Sequence, residues 1–276
     1  VEAALVKAHL SLRNEDADEI SQNLDAVVEA IDPAEVYEEE ERTQHNVRAM
    51  VNVLSRKLPQ TVAPYVHLGA TSVDILDTAQ ALRLRDATRN VLEPLLLQVL
   101  EELIALTRDH AETPQVGRTH GQHAVPITFG FAMAEYVARI GKSLEAVHER
   151  AQDLRGKLAG AVGAYNATSM LSADPVALEK RFLSQLGITP PEYATQLVEP
   201  EHLLRLLLEL NTCFGIIANL ADDVRHLQRS EIGELREGFG EGQVGSSTMP
   251  QKRNPWNSEH VKSLWKAFAP RVMSFY

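Results

Sequence analysis

Between Leu203 and Val224 the apolar residues recur at alternating spacings of four and three: Leu203, Leu207, Leu210, Phe214, Ile217, Ala221 and Val224. That interval is the period of a helix packed along a seam, and a strand, with its period of two, cannot present it. Two further windows run almost free of breakers. One extends from Asp74 to about Ala111, with Pro94 as its single candidate kink; the other extends from Ile127 to about Lys157 and carries Phe129, Phe131, Met133, Val137, Ile140 and Leu144. A fourth helix is expected to open at Asn254-Pro255 and run to the chain end. Strand-like alternation is nearly absent, so the expected class is all-α, an extended central helical bundle. Residues 1–65 read as shorter helices broken near Asp32-Pro33 and again from Leu58-Pro59 to Pro64. The expected division is an N-terminal helical unit over 1–72 and a bundle over 73–276.

Charge narrows the partners. The 276 residues hold 27 Lys+Arg against 38 Asp+Glu, a net charge of −11, which argues against nucleic acid and membrane surfaces. An anionic small molecule would need a local concentration of cations. The one cysteine, Cys213, lies in an apolar helical stretch, pairs with no other within the chain and is read as inert packing in a reducing, cytoplasmic compartment. No apolar run is expected to reach a membrane span, and no secretory leader is visible. The chain begins at Val1 and stops at Tyr276 inside a helical pattern, so the natural protein is expected to extend beyond both ends.

Three polar segments punctuate the helices: HLGATSVD (67–74), GRTHGQHAVP (117–126) and GSSTMPQKRNP (245–255). Each precedes a long helical window. Thr71 or Ser72 suits an N-cap with Asp74 in the first turn, Pro126 a first helical position, and Asn254-Pro255 an N-cap followed by N1. One such segment alone is as readily a cap and a solvated loop. Three of them, each with His, Ser or Lys beyond capping needs, point to a polyanion held by helix N-termini and side-chain donors. The first two segments flank the Asp74–Ala111 window, which would extend roughly 57 Å if straight. If both serve one site, they come from different subunits, so an oligomer with shared sites is expected.

GSSTMPQKRNP resembles the signature of the fumarase/aspartase superfamily, G-S-S-x-M-P-x-K-x-N-P. HLGATSVDILDTA and GRTHGQHAVPITFG resemble two further regions in the form found in adenylosuccinate lyases, as do LAGAVGAYNA (158–167), YATQ (193–196) and HLQRSEIGE (226–234). The resemblance implies a homotetramer around a central bundle, each site drawing on three subunits, and a β-elimination that releases fumarate without a cofactor. It implies Ser246 as general base, His120 as general acid and His67 as an assisting group near the phosphate or leaving group. Gln44, His45, Asn46, Thr71, Ser72, Gln196, Ser247, Arg253 and Asn254 fall at substrate-binding positions. Pro200 and Glu201, Asn46 and His260 depart from the pattern, at positions expected to contact the nucleotide.

The chemistry suits these residue types. The carbanion formed next to a carboxylate needs preorganised donors such as Lys252 and Asn254, and a serine base needs a nearby cation, for which Lys252 is placed six residues on. Histidine titrates near neutrality. Glu259 could orient His120, and the glycines at 238, 240, 242 and 245 suggest a mobile lid carrying Ser246. His123 reads as a structural partner, and His110, His148 and His226 as surface or packing residues. No His/Cys/Asp cluster has metal-ligand spacing. Argininosuccinate lyases and carboxymuconate cycloisomerases of the same superfamily, and a catalytically silent helical scaffold, stay open as alternatives.

Overall fold

The computed structural model describes residues 1–12 and 17–275. The backbone divides into two compact units, one of residues 1–85 and 152–202, the other of residues 86–151 and 203–276.

The first unit holds α1 (Glu2–Ser11), α2 (Ala17–Glu29), α3 (Pro33–Thr43), α4 (Asn46–Lys57), α5 (Ser72–Ala87), α8 (Asn166–Leu171) and α9 (Pro175–Gln185). The expected break at Asp32-Pro33 is a helix start: the Asp32 carboxylate accepts the Ala34 N–H at 2.9 Å and Pro33 fills N1. The second break follows the end of α4 at Lys57. Val6, Leu10, Leu24, Val47, Val51, Leu54 and Val62 form the core of these helices, and α1 packs on α9. A buried ion pair ties the start of α5 to the segment after residue 152. Lys157 and Asp74 are both fully buried, and the Lys157 ammonium donates to the Asp74 carboxylate.

In the second unit, a π turn (Thr88–Leu92) leads into α6 (Glu93–Asp109), followed by α7 (Phe129–Gln152), α10 (Glu201–Leu227) and α11 (Trp256–Met273). The π turn lies just upstream of Pro94, whose missing N–H and ring leave no room for a regular turn there. Leu103, Met133, Tyr136 and Ile140 form the core, with Ile216, Ile217 and Leu220 of α10 packed on it. The Tyr136 hydroxyl donates to Asp223, the Arg139 guanidinium to Asn219, and Lys262 of α11 to Asp222 of α10.

Three expectations change. Residues 114–128 form a β-hairpin, β1 (Pro114–Thr119) and β2 (Gln122–Thr128), and Pro126 is a strand residue opposite Val116. His120 (φ 53°) and Gly121 (φ 73°) make its two-residue turn, both in the left-handed region that a type I′ turn demands. A two-stranded hairpin has only edges, so a proline that cannot donate is tolerated in it. The four-three seam of α10 is only half-buried within the chain. Within the seam Ala221 is buried; the other buried positions of α10 are Leu204, Leu206, Cys213 and Ala218, and Ile216, Ile217 and Leu220 pack on the core of α6 and α7. Finally, α10 does have the length and apolar composition of a membrane span, contrary to expectation. Its Arg205, Glu209, Asp222, Asp223 and Arg225, and its packing on the core of α6 and α7, are those of a bundle helix.

Candidate active site

The signature loop is held in shape by its own residues. A Cβ on Gly245 would lie 2.0 Å from the Lys252 carbonyl oxygen, so only glycine fits there. The Asn254 amide donates to the Gly245 carbonyl at 2.9 Å, and the Lys252 N–H donates to the Met249 carbonyl at 3.1 Å. Ser246 Oγ accepts the N–H groups of Met249 (3.1 Å) and Thr248 (3.3 Å), which fixes the hydroxyl within the turn.

Asn254 therefore clamps the loop rather than capping α11. That helix begins at Trp256 with Pro255 before it, and its first N–H groups are taken by an acid from upstream. The Glu237 carboxylate accepts Asn257 N–H (3.1 Å), Ser258 N–H (2.8 Å) and Ser258 Oγ–H (2.6 Å). The start of α7 is likewise satisfied: Phe129 N–H reaches the Thr113 carbonyl, Gly130 N–H the His110 carbonyl and Phe131 N–H the Thr128 hydroxyl. Neither helix start keeps these N–H groups for an anion, contrary to the sequence reading.

Positive charge gathers beside the loop instead. A cavity of about 570 Å³ is lined by Arg225, Arg229, Arg236, Lys252 and Arg253, with Glu259 as its one acid. Arg225 holds Asp222 at 2.9 Å and Arg253 lies 3.9 Å over the Phe239 ring. Arg229, Arg236 and Lys252 have no carboxylate partner among the described residues. In a chain of net charge −11, this concentration of cations is what an anionic ligand requires. Ser246 and Ser247 line a neighbouring cavity of about 290 Å³, and Asn254 lines both. Ser246 and Lys252 thus face adjacent hollows, with no bond between them.

His120 is exposed at the hairpin tip and lines neither hollow. Its hairpin is anchored by Arg118, whose Nη2 meets Glu234 at 2.5 Å, a bond that holds the Glu234 carboxyl below the usual carboxylate range. No contact joins His120 to Glu259 or Ser246 among the described residues. His123 is exposed in β2, and the His260 ring lies against that of Trp256, tilted by 52° with centroids 4.8 Å apart.

The remaining site positions lie in the first unit. Asp74 Oδ2 accepts the Thr71 N–H at 2.8 Å, so the first turn of α5 is shaped by its own acid, and Ser72 is the first residue of that helix. Asp74 also accepts the Ala159 and Gly160 N–H groups, each at 3.2 Å. Gly163 (φ 75°) packs so closely on Ala194 that a Cβ would lie 2.0 Å from its carbonyl oxygen, and the Val198 N–H donates to Asp77 at 2.9 Å. These contacts set the loop of Gln196 beside the start of α5. Gln44, His45 and Asn46 are exposed at the α3–α4 turn: Gln44 (φ 52°) ends α3, His45 Nδ1 accepts the Arg48 N–H at 3.3 Å, and Asn46 Oδ1 accepts the Val47 N–H. Pro200 directly precedes the first residue of α10, Glu201, so both are helix-start residues here. His67 binds the buried Glu2 carboxylate. Cys213 is buried, and burial pushes its thiol up to about 11, which removes it as a nucleophile.

Sequence reasoning missed Glu2, Glu237 and the cavity's Arg229 and Arg236. The two arginines stand in and beside HLQRSEIGE, a cluster of cations that could have been noticed. The two glutamates act 65 and 21 residues away and leave no local signal.

A family model described as Lyase matches residues 1–269. The chain belongs to this lyase family. Among curated relatives it is 36% identical over 277 residues to the adenylosuccinate lyase of Pyrococcus abyssi, covering 99% of this chain and 60% of that protein. It is 37% identical over 230 residues to the adenylosuccinate lyase of Aquifex aeolicus, covering 83% of this chain and 51% of the relative. The lyase chain thus spans between half and two thirds of their length. Among solved structures it resembles 3-carboxy-cis,cis-muconate lactonizing enzyme from Pseudomonas putida (TM-score 0.78, 28% identity, 99% of this chain and 61% of that one). A fumarate lyase from Mesorhizobium sp. BNC1 shares the fold (TM-score 0.79, 22% identity, 99% and 60%).

Proposed function

We propose that the protein is an adenylosuccinate lyase, which eliminates fumarate from adenylosuccinate to leave AMP and from SAICAR to leave AICAR. The observation that carries this reading is the self-clamped 245–254 loop beside a cavity of five cations. The loop's Ser246 lines the adjoining hollow, next to donors fit for a substrate bearing two carboxylates and a phosphate. The 36–37% identity to proteins named adenylosuccinate lyase supports it.

In this reading Ser246 takes the proton from the succinyl Cβ. The electron pair spreads into the adjacent carboxylate as an aci-carboxylate, which Lys252 and Asn254 stabilise. Collapse of the aci-carboxylate forms the new carbon–carbon double bond of fumarate and breaks the bond to the purine nitrogen, and His120 supplies the proton that this nitrogen needs on leaving. His67, Thr71, Ser72 and Gln196 bind the nucleotide end, joined by Gln44, His45 and Asn46; Ser247 and Arg253 hold carboxylates, and Glu259 orients His120. The active assembly is a homotetramer in which each site combines the α5 start, the hairpin tip and the signature loop of three protomers. The half-buried apolar seam of α10 supports such an assembly, since it leaves apolar area for another copy to cover.

The test is fumarate release by the purified full-length protein given adenylosuccinate. Release from argininosuccinate instead would move the substrate assignment. The 28% identity to a muconate lactonizing enzyme favours one second reading, which lactone formation from carboxymuconate would establish. Release from no succinyl compound would favour a scaffold. For shared sites, mixed inactive His120→Ala and Ser246→Ala proteins should recover activity after subunit exchange, and no recovery despite proven exchange would refute that arrangement.

A further inference from the structure

His67 stands in the left-handed region (φ 59°), an arrangement a side chain adopts only when its surroundings hold it there. Those surroundings are one carboxylate. Glu2 Oε1 lies 2.7 Å from His67 Nδ1, and Glu2 Oε2 accepts the backbone N–H of the same residue at 3.0 Å. The Glu2 side chain is 4% exposed and that of His67 12%. The segment is braced from behind by His9, whose Nε2 lies 2.9 Å from the Leu68 carbonyl.

We propose that Glu2 is the positioning residue of His67, fixing its tautomer and ring plane so that Nε2 is the atom offered to the substrate. This rests on the reading of His67 as a site residue given above. An ionised carboxylate only accepts, so the proton of a neutral imidazole sits on Nδ1 and the lone pair is on Nε2. Nε2 has no partner among the described residues. One acid thus sets both the backbone twist that turns the ring and the nitrogen that is left basic, the arrangement by which carboxylates orient working histidines elsewhere. The purely structural alternative is that Glu2 ties residue 67 to α1 for folding alone.

Glu2→Gln separates the two. Glutamine keeps the size and still offers an oxygen to the His67 N–H, but its amide must donate to Nδ1, which moves the ring proton to Nε2. In full-length protein kcat for fumarate release should fall roughly 10- to 100-fold, with KM and melting temperature little changed, and Glu2→Asp should recover part of the loss. On a His67→Ala background Glu2→Gln should change kcat less than about twofold, because its effect passes through the ring. Losses that add instead, or an unchanged kcat in the single variant, overturn the proposal. Solid-state ¹⁵N spectra of histidine-labelled protein, assigned with His67→Ala, read the tautomer without turnover: Nδ1–H in the wild type and Nε2–H in Glu2→Gln. No switch refutes the role of Glu2 whatever the substrate proves to be. A switch accompanied by a fully active His67→Ala variant removes His67 from the reaction, and Glu2 with it.

Discussion

Replacing Lys157 by methionine removes a charge and little volume from a place that no water reaches. Lys157 and Asp74 are both 0% exposed, and each is the other's counter-charge. In Lys157→Met the Asp74 carboxylate keeps its three backbone donors, Thr71 at 2.8 Å and Ala159 and Gly160 at 3.2 Å, but loses the ammonium. Uncompensated buried charge of this kind costs about 3–5 kcal/mol, a large part of the stability of an ordinary domain. Asp74→Ala should cost more. It leaves the Lys157 ammonium, among the described residues, with the Gly160 carbonyl at 3.4 Å as its hydrogen-bond acceptor and strips an acceptor from three N–H groups, each loss adding about 1–3 kcal/mol where water cannot replace it. Asp74→Asn retains an acceptor oxygen, so Asp74→Asn/Lys157→Met should be less destabilised than the sum of its parts by at least about 1 kcal/mol. Urea unfolding of the full-length protein, followed by circular dichroism, measures all four. A Lys157→Met variant within about 1 kcal/mol of wild type, or additive losses in the double variant, would refute the reasoning.

Three further expectations concern the second unit. Gly245→Ala puts a methyl 2.0 Å from the Lys252 carbonyl oxygen and must open the signature loop, so fumarate release should drop more than about 100-fold while the melting temperature moves little. A fully active variant would show that the clamp is dispensable. Ser246→Ala should abolish turnover and spare assembly and substrate binding, measured by calorimetry; undiminished turnover would remove Ser246 as the base. Cys213, buried with its thiol pushed up to about 11, should resist alkylation in the folded protein through neutral pH, and label fully in urea. Labelling of the native protein at the rate of a free thiol would contradict that burial.

The long helices were legible because period and breakers are local. Asp32-Pro33 reads as a break from its own residues, and the structure makes it a helix start with a bond two residues away. The 114–128 hairpin was not legible. Its turn is His-Gly rather than the usual Asn-Gly, its second strand contains Pro126, and a register irregularity between Val116 and Arg118 interrupts the alternation. At the site, residue identities were legible and partners were not. Asp74 could be seen as a first-turn acid, but its Lys157 lies 83 residues on. Asn254 could be seen as a cap, and its amide turned out to hold Gly245, because Glu237 from the preceding segment already satisfies the helix start.

That substitution bears on how the loop can work. A motif of glycine, serine, lysine and asparagine reads as a set of chemical groups, yet two of its members are spent on conformation. Gly245 is required by the Lys252 carbonyl oxygen, and the Asn254 amide is bonded to the Gly245 carbonyl. Asn254 can therefore offer a ligand only what its clamp leaves over, its amide oxygen and remaining N–H. The Lys252 ammonium has no such duty, and neither have Arg229 and Arg236 across the same hollow. Among the described residues these three cations have no carboxylate partner, in an acidic chain, so a bound polyanion meets donors that need not first be released from an ion pair. Any closure of the 238–245 glycine stretch over the substrate would act on a turn whose geometry is already set. What moves would then be the turn as a body, carrying Ser246 toward the ammonium from which it stands apart in this structure.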